Sequence, residues 1–203
     1  MKDITASAPL TRWRTIDLLT CAFLGVAFGV AYWGWGLAYD APSKAVSAGF
    51  PPLAALFAWP WLVAGIVGIL VIRRPGAAVF TELLAAVVSA LIGTQWGLTT
   101  LVSGFVQGLG VELGFAAFAY ASFRWGPLLL GGFLGGAFEA VYEWYSYWTD
   151  WAWGYKIAYL FLFGASVAVF GSLLSVGLTR LLANAGALNP FPPGQEVRER
   201  QAV

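Results

Sequence analysis

Long runs of apolar residues, separated by short polar or glycine-containing segments, dominate the pattern along this chain. The runs fall at about 16–38, 53–72, 77–93, 99–121, 126–144 and 155–182, and most approach the roughly 20 residues that an α-helix needs to cross a membrane. The pattern therefore predicts six membrane-spanning helices. Pro51 and Pro52 suit the start of a helix, whereas Pro60 is expected to kink the second span.

Composition supports an integral membrane protein. Apolar side chains make up 60% of the 203 residues and charged side chains 10%, against roughly 45–50% and about 25% in soluble domains. The net charge is +1 and the basic residues form no concentrated run, which argues against a nucleic-acid-binding surface. The sequence has no histidine and one cysteine, which leaves neither a disulfide framework nor a cysteine-based metal site.

The distribution of positive charge predicts how the chain sits in the membrane. If successive loops alternate between the two sides, nine of the 11 Lys and Arg residues fall on one side, and Lys44 and Lys156 fall on the other. Because Lys and Arg are retained in the cytoplasm, both termini are expected there, with the loops near 39–52, 94–98 and 145–154 outside. Residues 1–188 are then one transmembrane domain, and the proline-rich, charged segment 189–203 is expected to be a mobile cytoplasmic tail.

Four glutamates, Glu82, Glu112, Glu139 and Glu143, lie inside the predicted spans. An ionisable side chain is costly in the membrane and normally faces a partner or a cavity. Glu112 and Glu139 each continue a stripe of glycines along one helix face, and such stripes mark close helix packing. These carboxylates are therefore expected to face the interior of the bundle, where few basic residues lie at the same depth.

Three interpretations of these acids remain open. They could be protonated structural groups, they could relay protons, or they could bind a positively charged ligand. Neighbouring tryptophans and tyrosines favour the ligand, because a ring face stabilises a desolvated cation, and Gln95 and Gln107 add directional donors and acceptors. The predicted substrate site comprises Glu82, Gln95, Trp96, Gln107, Glu112, Glu139, Tyr142, Glu143 and Trp144.

Three segments carry a resemblance to a known family: "WRTIDLLTCAFLGVAFGVAYWGW" (13–35), "TELLAAVVSALIGTQWGLTTLVSGFVQGLGVELGFA" (81–116) and the glycine-rich fifth span. They resemble the substrate-binding S-components of energy-coupling factor (ECF) vitamin transporters, in particular the thiamine or hydroxymethylpyrimidine branch called YkoE-type. The resemblance covers most of the chain except the tail. It implies an all-α bundle of six transmembrane helices with both termini in the cytoplasm.

The resemblance also implies a function and partners. An S-component captures its vitamin, here thiamine (vitamin B1) or its pyrimidine precursor, outside the cell, and it assembles in the cell membrane with a transmembrane coupling (T) protein and ATP-binding cassette (ABC) ATPase subunits. This chain has no G-x-x-x-x-G-K-[ST] phosphate loop, so ATP is expected to be used by the partner subunits. No cofactor is expected in this chain.

The first helix carries two pairs of small residues at a spacing of four, Gly25 with Gly29 and Ala27 with Ala31. Either pair allows close approach of another helix, in the bundle or in a partner. The resemblance favours Ala27 and Ala31 as the contact with the coupling protein.

Two other function classes are considered. A proton-coupled secondary transporter of aromatic cations would use Glu82 or Glu112 to exchange a proton for its substrate. A membrane-embedded enzyme is disfavoured, because the sequence offers no histidine, no cysteine nucleophile in a polar setting and no cluster of metal ligands beyond scattered carboxylates.

Overall fold

The computed structural model describes residues 4–202, and the regular secondary structure in that range is helical throughout. Two 3-10 helices, Pro51–Phe57 and Trp59–Leu62, precede α2, and a π-helical turn, Val167–Gly171, joins α6 to α7. The α-helices are α1 (Thr15–Ser47), α2 (Val63–Ile72), α3 (Ala77–Ile92), α4 (Thr99–Ala116), α5 (Trp125–Ser146), α6 (Trp153–Ser166), α7 (Ser172–Asn184) and α8 (Pro192–Gln201). The predicted all-α class is confirmed.

Each predicted span coincides with a helical segment, but their lengths and hydropathies differ. Within the described residues, Thr15–Ser47 and Trp153–Asn184 are long and apolar enough to cross a membrane, and the bent stretch from Pro51 to Ile72 would be a third. Helix α3 has only 16 residues and contains Glu82, and α4 and α5 carry the other three glutamates and many of the glycines of the interior. The count of six crossings therefore stays a prediction.

The second helical segment bends by 48° between its first 3-10 helix, Pro51–Phe57, and the stretch Trp59–Ile72. Pro60, where the sequence predicts a kink, is the second residue of the stretch after the bend; it has no N–H and cannot continue a helical hydrogen-bond ladder. Helix α2 consequently begins inside the bundle, where its first N–H groups need acceptors. The N–H of Ala64 donates to the hydroxyl of Tyr32 at 2.8 Å, and that of Gly65 donates to the carboxylate of Glu82 at 2.7 Å.

Glycines set the closest contacts between helices. A β-carbon added at Gly114 of α4 would lie 2.2 Å from the backbone of Gly131 of α5, and one added at Gly110 would lie 2.6 Å from Gly135. Helices α4 and α5 therefore touch backbone to backbone. Gly25 and Gly29 similarly bring α1 against α3. The inward direction predicted for the glycine stripes of α4 and α5 is confirmed.

One end of the bundle is held together by buried ion pairs. Asp17, at the start of α1, is fully buried and lies 2.7 Å from the guanidinium of Arg14 and 3.0 Å from that of Arg74. Arg74 also donates to carbonyl oxygens of the segment 7–10, which crosses this end of the bundle. Arg73, the preceding residue, pairs with Glu196 of α8.

The C-terminal segment, for which the sequence predicts a mobile tail, contains a helix. Residues Pro192–Gln201 form α8, whose first two positions are prolines suited to a helix start. Phe191 and Val197 are buried against the bundle, and Glu196 accepts a hydrogen bond from the backbone N–H of Ile4. These two apolar side chains hold the helix against the bundle because the bundle offers them an apolar surface. That surface comes from distant parts of the chain, so the composition of the segment alone does not predict the contact. The domain boundary at 188 and the mobility of the tail stay predictions.

We expect Gly114→Ala to lower the thermal unfolding midpoint of the detergent-solubilised protein. The added methyl overlaps the α5 backbone, and overpacking of this kind typically costs about 1–3 kcal/mol. Gly177→Ala in α7 is the matched control, because no atom lies within 4 Å of its added β-carbon. Its midpoint should be unchanged or higher. Equal midpoints for the two variants would contradict the backbone contact between α4 and α5.

Candidate ligand-binding cavity

A cavity of about 440 Å³ lies between α1, α3, α4, α5 and α6. Its mouth is formed by the end of α1 and by the loops that follow α3 and α5, where Asp40, Gln95 and Trp148 meet. These are the three regions predicted to share one side of the membrane. The acids that line the cavity are Asp40, Glu82, Glu139 and Glu143, and no Lys or Arg of the described residues joins them.

Glu82 forms the deep part of the lining. Its side chain projects from α3 and is 1% exposed. One carboxylate oxygen, Oε2, accepts hydrogen bonds from the Tyr32 hydroxyl at 3.0 Å and from the Gly65 N–H at 2.7 Å. The other oxygen, Oε1, is buried and has no hydrogen-bond partner among residues 4–202. Glu82 is therefore held firmly by one oxygen and leaves the other available to a donor.

Glu139 forms the middle of the lining. It is 2% exposed, and its Oε2 has no hydrogen-bond partner within the described part of the chain. Ser103 and Gln107 of α4 share this wall of the cavity, because the glycine stripe of α5 lets the two helices approach closely. The Thr100 hydroxyl in the same lining is also buried without a partner in that part of the chain. The wall thus offers two polar atoms, on Glu139 and Thr100, that no described residue satisfies.

Glu143 lies one turn after Glu139 and connects the cavity lining to the loop between α5 and α6. Its Oε2 accepts hydrogen bonds from the Tyr159 hydroxyl and from the Trp148 indole N–H, the latter at 3.2 Å. Trp148 stacks on Trp151 with ring centroids 4.4 Å apart. This carboxylate therefore fixes the loop between α5 and α6 over the cavity.

A second group of rings stands near the mouth, contributed by elements far apart in sequence. The Trp61 ring centroid lies 4.8 Å from that of Tyr39 and 4.9 Å from that of Trp96, and both contacts are edge to face. The Trp61 indole also donates to the backbone oxygen of Tyr32 at 3.2 Å. Rigid, hydrogen-bonded rings beside carboxylates are suited to hold a flat, positively charged ligand.

The structure brings six of the nine predicted residues to this cavity: Glu82, Gln95, Trp96, Gln107, Glu139 and Glu143. Tyr142 and Trp144 do not join its lining. On α5, Glu139 and Glu143 are four residues apart and share a face, whereas Tyr142 and Trp144 are rotated away from it. Trp144 instead donates to the backbone oxygen of Lys156 at 3.1 Å, and Tyr142 packs edge to face with Tyr147.

Glu112, the ninth predicted residue, is also outside the cavity. It accepts hydrogen bonds from the N–H groups of Gly76 and Ala78 at 2.7 and 2.9 Å, and from the Tyr120 hydroxyl at 2.7 Å. These donors occupy both carboxylate oxygens, and they place the side chain at the N-terminus of α3, where an anion is favoured. Glu112 is thus a helix cap.

Sequence reasoning missed several lining residues, including Tyr32, Tyr39, Trp61, Trp148 and Tyr159. A tyrosine within an apolar run, such as Tyr32, was an available signal, because its hydroxyl needs a partner there. Trp61 had no such signal, since tryptophans also occur singly at membrane interfaces.

The two small-residue pairs of α1 lie on different faces. Gly25 and Gly29 are buried against α3, whereas Ala27 and Ala31 are exposed on the outer surface of the bundle. The glycine pair is therefore used by internal packing, and the alanine pair is available to a partner or to lipid.

Comparisons with known proteins agree with this architecture. The family described as "ABC-type cobalt transport system, permease component" matches residues 16–138. The chain is 27% identical over 191 residues to the "Putative HMP/thiamine permease protein YkoE" of Bacillus subtilis (strain 168), covering 93% of this chain and 94% of that protein. A solved structure described as an S-component of an ECF transporter superposes with a TM-score of 0.85 at 25% identity, covering 94% of this chain and 96% of that one.

These relatives confirm the resemblance inferred from segments 13–35 and 81–116 and the prediction that the chain is not an enzyme. It is a membrane protein, and it shares its fold with an ECF S-component. The chain belongs to the family of ABC-type cobalt transport system permease components.

Proposed function

We propose that this chain is the substrate-binding subunit of an ATP-driven ECF importer and that it binds thiamine or a related pyrimidine from outside the cell. The observation that carries the proposal is the cavity lining. Two buried carboxylate oxygens, on Glu82 and Glu139, lack hydrogen-bond partners among the described residues. Aromatic rings surround them, and no basic side chain of residues 4–202 lines the cavity. A positively charged guest would supply the missing charge.

Size and chemistry both suit such a ligand. A volume of about 440 Å³ lies in the usual range of roughly 300–1,000 Å³ for small-molecule sites. Thiamine combines a permanently charged ring with an aminopyrimidine that donates and accepts hydrogen bonds along one edge. Carboxylates and the Gln107 amide can bind that edge, and the rings near the mouth can stack on its faces. The similarity to a putative HMP/thiamine permease supports this substrate class.

The proposed arrangement in the membrane follows from charge. The arginines that pair with Asp17 and Glu196 lie at the end of the bundle opposite the cavity mouth, and Lys and Arg are retained in the cytoplasm. We place both termini there and the mouth outside, with six helical segments crossing the cell membrane. The coupling protein and the ABC ATPase subunits would join the chain in the membrane and at its cytoplasmic face, and the exposed pair Ala27 and Ala31 is the proposed contact for the coupling protein.

Glu139→Gln should weaken thiamine binding, measured by titrating the tryptophan fluorescence of the purified protein. Loss of a charge-assisted hydrogen bond of about 1.5–3 kcal/mol corresponds to a Kd about 10- to 150-fold higher. The penalty should be smaller for neutral hydroxymethylpyrimidine, because that ligand carries no positive charge. Equal penalties for both ligands would contradict the role of the charge.

Glu112→Gln is the matched control, because it makes the same chemical change in a glutamate outside the cavity. It should lower the thermal unfolding midpoint, since an amide NH₂ cannot accept from the α3 N-terminus, and it should leave the Kd for thiamine within about twofold of the original. A large loss of affinity in this variant, with the midpoint unchanged, would place the ligand near Glu112.

For the partner surface, Ala27→Trp and Ala31→Trp should leave thiamine binding intact and abolish co-purification with the coupling protein. A tryptophan keeps the helices from approaching at the spacing that small residues allow. Ala165→Trp, an equally large change at an exposed position of α6, should preserve assembly. Intact co-purification of both α1 variants would place the contact elsewhere.

A proton-coupled secondary transporter is the second candidate, favoured by the same unpartnered oxygens of Glu82 and Glu139. The two functions separate in liposomes that contain only this chain. A pH gradient that drives thiamine accumulation without partner subunits would establish the secondary transporter. Accumulation that requires the coupling protein, the ATPases and ATP would support the importer.

A further inference from the structure

A second cavity, of about 270 Å³, lies at the end of the bundle opposite the candidate ligand-binding cavity, between the ends of α2, α5, α7 and α8. Among residues 4–202, its lining contains four arginines, Arg73, Arg124, Arg180 and Arg200, and one acid, Glu196. The formal charge of these described lining residues is +3, from four positive charges and one negative charge. The sign is opposite to that of the candidate ligand-binding cavity.

The one acid of this lining is already engaged. Glu196 accepts from the guanidinium of Arg73 and from the N–H of Ile4. Arg200 uses its Nε to donate to the backbone oxygen of Glu196 at 3.1 Å. Within residues 4–202, no carboxylate lies within 4 Å of Arg180 or Arg200, and both residues are exposed. Their guanidinium groups can therefore bind an anion from outside the chain.

A buried hydroxyl gives an independent indication of a ligand. Thr179 precedes Arg180 on α7, lines the cavity and is 7% exposed. Its Oγ1 is buried and makes no hydrogen bond within the described residues. An uncompensated hydroxyl in an apolar bundle is unfavourable, and an anion with several acceptor oxygens would satisfy it together with the arginines.

The surface around the cavity is apolar and exposed. On α5, Trp125 lines the cavity and is 45% exposed, and Leu129, one turn later, continues its exposed face. On α7, Leu173 is 55% exposed and lies seven residues before Arg180, on the same helix face. Tryptophan at the headgroup level and leucine at acyl-chain depth are typical of a surface that faces lipid. An anion bound here would thus sit where a phospholipid phosphate sits.

We propose that this cavity binds the phosphate headgroup of an anionic phospholipid, with its acyl chains along the Leu129 and Leu173 faces. Arg180 and Arg200 would hold the phosphate oxygens and Thr179 would donate a hydrogen bond. Basic cavities between helices at a membrane surface are suited to such headgroups. Because α8 supplies Arg200, the bound lipid would also hold the C-terminal helix against α2, α5 and α7.

The test is native mass spectrometry of the full-length chain with phosphatidylglycerol or phosphatidylcholine of identical acyl chains. We expect phosphatidylglycerol to be retained about tenfold more than phosphatidylcholine. The double variant Arg180→Gln/Arg200→Gln should lose at least about tenfold of that binding, because each basic residue at an anionic surface contributes about fivefold. Thr179→Val should weaken retention about fivefold, as expected for one hydrogen bond.

Arg12→Gln/Arg198→Gln is the matched control, because it removes the same charge at exposed arginines that do not line the cavity. It should keep phosphatidylglycerol binding within about twofold. Equal losses in the two double variants, or equal retention of the two lipids, would overturn the proposal.

Two further measurements test other occupants of this cavity, a soluble anion and a protein partner. Inorganic phosphate at millimolar concentration should raise the thermal unfolding midpoint less than phosphatidylglycerol does. An equal rise, with no added effect of the lipid, would make the ligand a soluble anion and overturn the lipid proposal. If Arg180→Gln/Arg200→Gln kept its lipid but failed to assemble with the coupling protein, the basic cavity would be a protein contact, which also overturns it.

Discussion

Every carboxylate inside this apolar bundle needs a hydrogen-bond donor or a cation, because no water is available to compensate it. The chain meets this requirement in three ways. Asp17 pairs with arginines at one end, Glu112 caps the start of α3, and Glu82 caps the interrupted start of α2 with one oxygen. Among the described residues, the remaining oxygen of Glu82 and one oxygen of Glu139, Oε2, have no donor. The candidate ligand-binding cavity lies where the described residues no longer provide compensation.

Glycine makes this arrangement geometrically possible. Helices α4 and α5 touch backbone to backbone at Gly114 and Gly131, toward the end that carries the arginines. Nearer the other end, Gln107 of α4 and Glu139 of α5 line the candidate ligand-binding cavity. After the bend near Pro60, α2 begins inside the bundle, and its first N–H groups donate to Tyr32 and Glu82. Close helix packing thus brings polar residues of different helices to one cavity.

The molecule is electrostatically polarised along the bundle. Carboxylates and aromatic rings line the candidate ligand-binding cavity, whereas arginines line the second cavity and pair with Asp17 and Glu196 at the opposite end. This polarity agrees with the proposed orientation in the membrane and with the proposed path of a cation that enters at the acidic end. Helix α8 belongs to the basic end, since Glu196 and Arg200 join it to the second cavity.

The sequence by itself determined the helical class and the positions of the helical segments, because apolar periodicity, glycine stripes and charge placement are local properties of the chain. The family followed from the resemblance of segments 13–35 and 81–116 to known proteins. The sequence also predicted Glu82, Gln107, Glu139 and Glu143 as residues of one interior site, and the structure places all four in the lining of the candidate ligand-binding cavity. Only the tertiary structure separated Glu112 from them, since its donors at Gly76 and Ala78 lie more than 30 residues away in sequence. Only the structure brought Tyr32 and Trp61 to the cavity and placed α8 against the bundle. The position of a residue within an apolar span can be inferred from the sequence. Whether a buried polar group already has a hydrogen-bond partner depends on which distant segment of the backbone packs against it.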